Sequence, residues 1–230
     1  MTAAEGTLTQ AEKLFESACT ARGIAFRRIP TSKVEGKRRP DYRVDIPGCG
    51  AFVEVKQIDP NDADRRYETE METNGLAVFG GTPGERLRKS IRDAAGQLKQ
   101  GSLRGIATGV AIFDATRSLH YTDPYAVKTA MFGLDAMVIG VPRDPNLSPY
   151  FKHMKGGGKA TLTEEHNTSI SAVIVIRIVP PDVSPYPQLL VYLNHFARVR
   201  INEIDLRGYV WAQYALGRSD DGATDWIELE

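Results

Sequence analysis

Apolar residues fall at helical spacing in a few stretches of the chain and alternate or run together in several others. Between residues 9 and 22, Ala11, Leu14, Phe15 and Ala18 share one face of a 3.6-residue period, which predicts a helix. Thr9 with Glu12 is a capping-box pattern at its start, and Gly23 is a natural stop. Residues 24–29 predict a short strand, followed by a basic loop. Residues 41–46 and 51–58 predict two strands joined as a hairpin by the run PGCG. Residues 59–83 are polar and Gly-rich without clear periodicity, and a connection of that length suggests a functional loop or lid. A second helix is predicted from Glu85 to Gln100, with Leu87, Ile91, Ala94, Ala95 and Leu98 on one face.

Further on, residues 108–113 predict a buried strand and residues 124–137 a helix. Residues 141–170, with Pro, Asn and the run KGGGK, predict a mobile loop. Strands are expected at 171–179 and 188–194, joined by PPDVSPYP, and no element is assigned beyond residue 197. No internal repeat is visible. Strands mixed with helices predict an α/β fold around one sheet. The expected organisation is a single domain over 1–230, with a core at about 9–113 and a strand-rich C-terminal extension at about 114–230.

Composition adds constraints. The chain has 230 residues, 42% of them hydrophobic, enough for a sizeable core, and a formal net charge of zero, so no global basic field marks a nucleic-acid partner. Cys19 and Cys49 make neither a disulfide framework nor a CxxC site, and they fit a reducing compartment. The N-terminus lacks a signal-peptide pattern, and the longest apolar run, Ala172 to Ile178, is too short to span a bilayer. A cytoplasmic protein with no membrane partner is the expectation.

The hairpin carries the chemistry. If PGCG closes it with Pro47 facing Gly50, then Arg43 faces Glu54 and Asp41 faces Lys56. Alternation then sends Asp41, Glu54 and Lys56 to one face. Tyr42, Val44, Ile46, Ala51, Val53 and Val55 take the other, which is apolar and should be core. Two converging carboxylates repel each other by a few kcal/mol, on the order expected near a surface, and a divalent cation removes that repulsion. Mg²⁺ suits such a pair, because it keeps several waters and takes one or two carboxylates plus substrate phosphate. An adjacent lysine can orient or deprotonate the attacking water and stabilise developing negative charge. A plain cross-strand ion pair between Asp41 and Lys56 is the structural alternative. A second triplet, Glu35-Gly36-Lys37, precedes the Pro-Asp pair and falls in a loop.

The stretches QAEKLFESACTARGIAFRRI, PDYRVD and AFVEVKQ together resemble the PD-(D/E)xK nuclease superfamily, in the compact form of Holliday-junction resolvases and restriction-type enzymes. The resemblance covers residues 9 to about 113. It implies a restriction-endonuclease-like αβββαβ core, with a central mixed sheet flanked by helices. It implies that Asp41 and Glu54 bind Mg²⁺ (or Mn²⁺) with the backbone carbonyl of Val55, that Lys56 is the catalytic lysine, and that Glu12 is the helix carboxylate at the site. A capping box alone also explains Glu12, and Glu16 is the other acidic residue of that helix. Gln97 lies where the family often carries a Gln or basic residue near the site, although it is also an ordinary polar helix position.

Phosphate contacts are expected from Lys33, Lys37, Arg38 and Arg39, just before Asp41, and from Arg88 and Arg92 among the basic residues of the second long helix. A solvated helix face is the alternative for the latter. KGGGK lacks the strand and terminal Ser/Thr of a P-loop, and His120, His153, His166 and His195 have no metal-ligand spacing. The implied function is a Mg²⁺-dependent nuclease, an endonuclease by preference, acting on nucleic acid and on DNA more than RNA. The alternative is a nuclease-like module that binds without cleaving. A homodimer or a protein partner stays open.

Overall fold

A computed structural model describes residues 7–30, 39–46, 48–78, 80–116, 119–201, 206, 208–218, 220 and 223–229. The first helix, α1 (Gln10–Ala21), is closed by the capping box foreseen in the sequence: Thr9 accepts from the Glu12 N–H, and Glu12 accepts from the Thr9 N–H. Its buried stripe is Ala11, Phe15, Ala18 and Cys19. The strands β1 (Ala25–Arg28), β2 (Tyr42–Ile46) and β3 (Cys49–Ile58) follow as an antiparallel meander. Next come α2 (Asp62–Asn74), α3 (Glu85–Leu103), β4 (Ala107–Asp114), α4 (Pro124–Phe132), β5 (Leu134–Gly140) and β6 (Tyr150–Gly158). The chain continues with β7 (Ala172–Arg177), β8 (Gln188–Leu193), β9 (Ala212–Arg218) and β10 (Thr224–Glu228).

These elements make a mixed α/β fold. Eight strands form one sheet in the order β1-β2-β3-β4-β7-β8-β9-β10, while β5 and β6 pair separately. The β3–β4, β4–β7 and β8–β9 pairs are parallel and the others antiparallel. Both faces of the central strands are covered. Phe15 and its helix pack with Tyr42, Val44, Val53 and Val55 on one side. From the other side, Leu87, Ile91 and Leu98 of α3 and Val127 and Met131 of α4 meet Val110 and Ile112. This two-sided burial explains why β4 reads as a continuous apolar run. No helix among the described residues is long and apolar enough to cross a membrane.

Several expectations are corrected. Residues 59–83 are not a structureless lid: they contain α2, which has no apolar stripe. A capping box between Asn61 and Asp64 and the left-handed Gly75 at its end define that helix, and only Asp64 is buried. The helix expected over 124–137 stops at Phe132, because Gly133 turns the chain into β5 with φ +92°. The expected loop at 141–170 contains β6, whose last residues carry most of KGGGK. Two further strands lie beyond residue 197.

The hairpin register also differs. Ile46 pairs with Cys49 and Tyr42 with Val53, and Gly48, just before β3, has φ +80°. The pairing is shifted by two residues from the expected one. A two-residue shift preserves which face each side chain takes, since strand periodicity is two.

Candidate active site

Asp41 immediately precedes β2, and the register of its neighbour Tyr42 with Val53 puts it beside Glu54 rather than Lys56. The strand ends there, so Asp41 Oδ2 takes the hydrogen bond of the Val55 N–H at 2.8 Å in place of a ladder carbonyl. Glu54 is 2% exposed, held under α3. Its Oε1 accepts from Lys56 Nζ at 2.6 Å and from Gln97 Nε2 at 2.6 Å. Its Oε2 is buried and has no hydrogen-bond partner among the described residues. Gln97 also donates to the Arg39 carbonyl at 3.4 Å and accepts from Lys56 Nζ at 3.5 Å, which ties the helix to both strands' acidic ends.

Electrostatics follow from this placement. Burial pushes the Glu54 carboxyl up to about 7, and the Asp41 charge adds to the rise, against the bonds from Lys56 and Gln97. Burial also holds Asp41 above the ordinary carboxylate range, although the Val55 N–H and Lys56 oppose it, and Glu12 contributes a further upward push. Two acids that resist ionisation together, one with an oxygen unpartnered among the described residues, are a pair whose missing compensation a hard cation would supply. Among the described residues no group of three or more His, Cys, Asp or Glu clusters as a metal site, so the protein offers two carboxylates.

Other expected site residues are placed differently. Glu12 does not turn to Asp41: its Oε2 accepts from Thr9 N at 2.8 Å and its Oε1 from Arg28 Nη2 at 3.1 Å. The capping box and the ion pair absorb both oxygens. Glu16 is not simply solvated, because it accepts from the Tyr42 hydroxyl at 2.8 Å. Arg88 is 7% exposed and donates to the Thr129 carbonyl, bracing α3 against α4 rather than reaching phosphate. Arg92 is exposed and borders a separate pocket beside Lys89 and Tyr121. Arg39 is exposed beside Gln97, while Lys33, Lys37, Arg38 and the Glu35-Gly36-Lys37 triplet lie outside the described residues.

Two arrangements had no sequence signal. Arg27 and Arg104 line an open groove of about 800 Å³ next to Gln97, yet each reads alone as a surface arginine. Asp64 is buried and takes the Tyr121 hydroxyl at 2.6 Å and Arg86 at 2.9 Å. Those bonds, with the Asn61 N–H, hold its carboxyl below the usual range in spite of burial. This cluster anchors the start of α2.

No protein-family model matches the chain, and no curated protein matches it. Among solved structures, SfsA of Pyrococcus furiosus in complex with Ca²⁺ is similar at 13% identity, with a TM-score of 0.21. The match covers 89% of this chain and 54% of that one, so the chain spans about half the length of that protein. A likeness of that degree carries no argument about fold or activity.

Proposed function

We propose that the chain is a divalent-metal-dependent nuclease with a PD-(D/E)xK core, hydrolysing phosphodiester bonds of nucleic acid, DNA by preference. The observation that supports it is the pairing of Asp41 with Glu54 across adjacent strands, with Lys56 on one Glu54 oxygen and the other oxygen buried without a partner. On this reading residues 9–113 are the catalytic core of a single domain.

The donor set fits Mg²⁺ or Mn²⁺. Carboxylate oxygens are hard ligands, and two of them leave positions for water and substrate phosphate. Asp41 and Glu54 would hold the ion, with the Val55 carbonyl as a third oxygen. A bound ion would acidify water and shield phosphate charge. The protein's own groups do the rest. Lys56 brings a positive charge to within 2.6 Å of Glu54, where it meets the negative charge that develops on a phosphate during attack. Gln97 fixes the Glu54 carboxylate and holds the Arg39 backbone next to it. Glu12 supports the site from outside it, by capping α1 and holding Arg28.

The test is incubation of the purified protein with linear, circular, branched and single-stranded DNA, and with RNA, with and without Mg²⁺ or Mn²⁺. Metal-dependent cleavage is expected. No cleavage of any of these, together with no Mg²⁺ or Mn²⁺ binding by titration calorimetry, would overturn the reading. The second reading, a nuclease-like module that binds without cutting, draws on the zero net charge and on the convergence, among the described residues, of no group of three or more metal-ligating side chains.

A further inference from the structure

The strand register lays out charges in rows on the α3 side of the sheet. Asp41 and Glu54 make one row, and the Asp41 carbonyl takes the N–H of Ile29, the residue just after β1. Two residues along, Arg27 pairs with Arg43 and Arg43 with Phe52. A step of two residues keeps side chains on the same face and advances about 7 Å. A basic row therefore lies directly behind the acidic one. Arg43 is engaged by Asp45 at 3.0 Å. Arg27 has no carboxylate partner among the described residues, and the same holds for Arg39 and Arg104.

These three exposed guanidinium groups come from different elements: β1, the segment before β2, and the C-cap of α3. They line one open groove of about 800 Å³ together with Gln100 and the half-buried Phe52, and Gln97, which also lines it, donates to Glu54. We propose that this groove is the track for a nucleic-acid strand, with Arg27, Arg39 and Arg104 binding its phosphates and Gln97 marking where the strand enters the Asp41–Glu54 site. This rests on the nuclease reading for what happens at Glu54, but its own claim is binding.

Three considerations favour a polymer backbone over a single small anion. The cations come from three separate elements around one open groove of about 800 Å³, more room than a single small anion fills. Guanidinium groups match phosphate geometry and remain charged at any working pH. The chain's net charge is zero, so affinity for a polyanion has to come from a local stretch of unneutralised cations such as this one. The charged groups of the lining are all arginines, and contacts from them to phosphate position a strand without reading its sequence.

The experiment measures fluorescence anisotropy of labelled single-stranded DNA, single-stranded RNA and duplex DNA with the wild-type protein in excess EDTA, over a salt series. Arg27→Ala and Arg104→Ala are each expected to weaken binding roughly tenfold at low salt, equally across sequences. Each should also lower the salt-dependence slope by about one. Arg27→Lys and Arg104→Lys should recover part of the loss, and melting curves should show the variants folded. Arg218→Ala, near the far edge of the sheet on β9, is the charge control and should bind as wild type. A loss in the DNA or the RNA arm supports the track and identifies its backbone. Wild-type affinity in both Arg→Ala variants, or no salt-dependent binding by the wild type, overturns it. Cleavage of the same oligonucleotides in Mg²⁺ separates the two claims. Arginine-dependent binding without cleavage removes the nuclease reading alone, and cleavage with unchanged binding in the variants removes the track alone.

Discussion

Gln97 Nε2 lies 2.6 Å from Glu54 Oε1, the oxygen that also receives Lys56 Nζ, so one oxygen of this carboxylate collects two donors while the other is buried with none among the described residues. The asymmetry explains why two favourable bonds do not keep Glu54 ionised. Desolvation of the bare oxygen and the neighbouring Asp41 charge outweigh them, and the group titrates near 7 instead of its ordinary 4.5.

Stability should therefore fall with rising pH in the metal-free protein. The folded state holds the Glu54 proton more tightly than the unfolded chain. The resulting stabilisation is full below about 4.5 and is lost as pH rises through about 7. The loss is on the order of 3 kcal/mol. Glu54→Gln keeps the neutral form at every pH, so its melting temperature should exceed that of wild type at pH 8 and approach it at pH 5. Mg²⁺ should raise the wild-type value at pH 8 and leave the variant's unchanged. Parallel melting profiles for the two proteins from pH 5 to pH 8 would contradict this.

Cleavage should depend on the same groups. Asp41→Asn and Glu54→Gln are expected to abolish Mg²⁺-dependent cleavage by weakening metal binding, and excess chelator should do the same to the wild type. Lys56→Ala should bind metal but cut more slowly, by roughly 100-fold or more if it stabilises transition-state charge. Calorimetric metal titration beside a gel assay distinguishes these cases. Wild-type cleavage by Asp41→Asn would remove the assignment from this site.

Glu12→Gln probes a structural role. The Glu12 carboxylate serves the α1 capping box and Arg28. Glutamine keeps an acceptor for the Thr9 N–H but loses the charge at the helix N-terminus and on Arg28. A stability loss of about 0.5–1 kcal/mol is expected, with specific activity within a few-fold of wild type. A large loss of activity at unchanged melting temperature would instead place Glu12 in the chemistry.

How much of this could be read from the chain depends on the kind of signal. The faces of β2 and β3 survive the corrected register because a two-residue slip keeps parity, so Tyr42 and Val53 stay on the α1 side and Asp41 and Glu54 share the other, which α3 covers instead of leaving open. The helix α2 escaped because periodicity detects burial, and the helix DADRRYETEMETN buries only Asp64; its caps were the sole local marks. Arg88 was misplaced for a related reason. A basic residue on a helix reads as solvated, but α4 covers that side of α3 and takes its guanidinium on the Thr129 carbonyl. The contact of Gln97 with Glu54 joins residues 43 apart, and nothing local encodes it.

The last prediction compares Gly101 in the last turn of α3 with Gly84 at its N-cap, which meet the same spatial limit against different neighbours. A Cβ on Gly101 would come to 2.5 Å of the Phe52 ring, and one on Gly84 to 2.5 Å of the Ala126 carbonyl oxygen and 2.7 Å of the Ala130 nitrogen. Phe52 is half-buried and borders the open groove, so its ring can swing aside. Alanine in the last turn of the helix also recovers part of the backbone entropy, at most about 0.5–1 kcal/mol. Gly101→Ala should thus change stability by no more than about 1 kcal/mol in net. It should depress binding and cleavage, because the displaced ring enters the groove. Gly84 has no such outlet. Its neighbours are the backbone of α4, and its φ of +73° is strained for any side chain. Left-handed strain of about 1–2 kcal/mol adds to an overpacking cost of about 1–3 kcal/mol. Gly84→Ala should therefore lose at least about 2 kcal/mol by urea denaturation and loosen the α3–α4 contact. Equal stability losses in the two variants would show that Phe52 is as immobile as backbone, and that α3 itself is what moves.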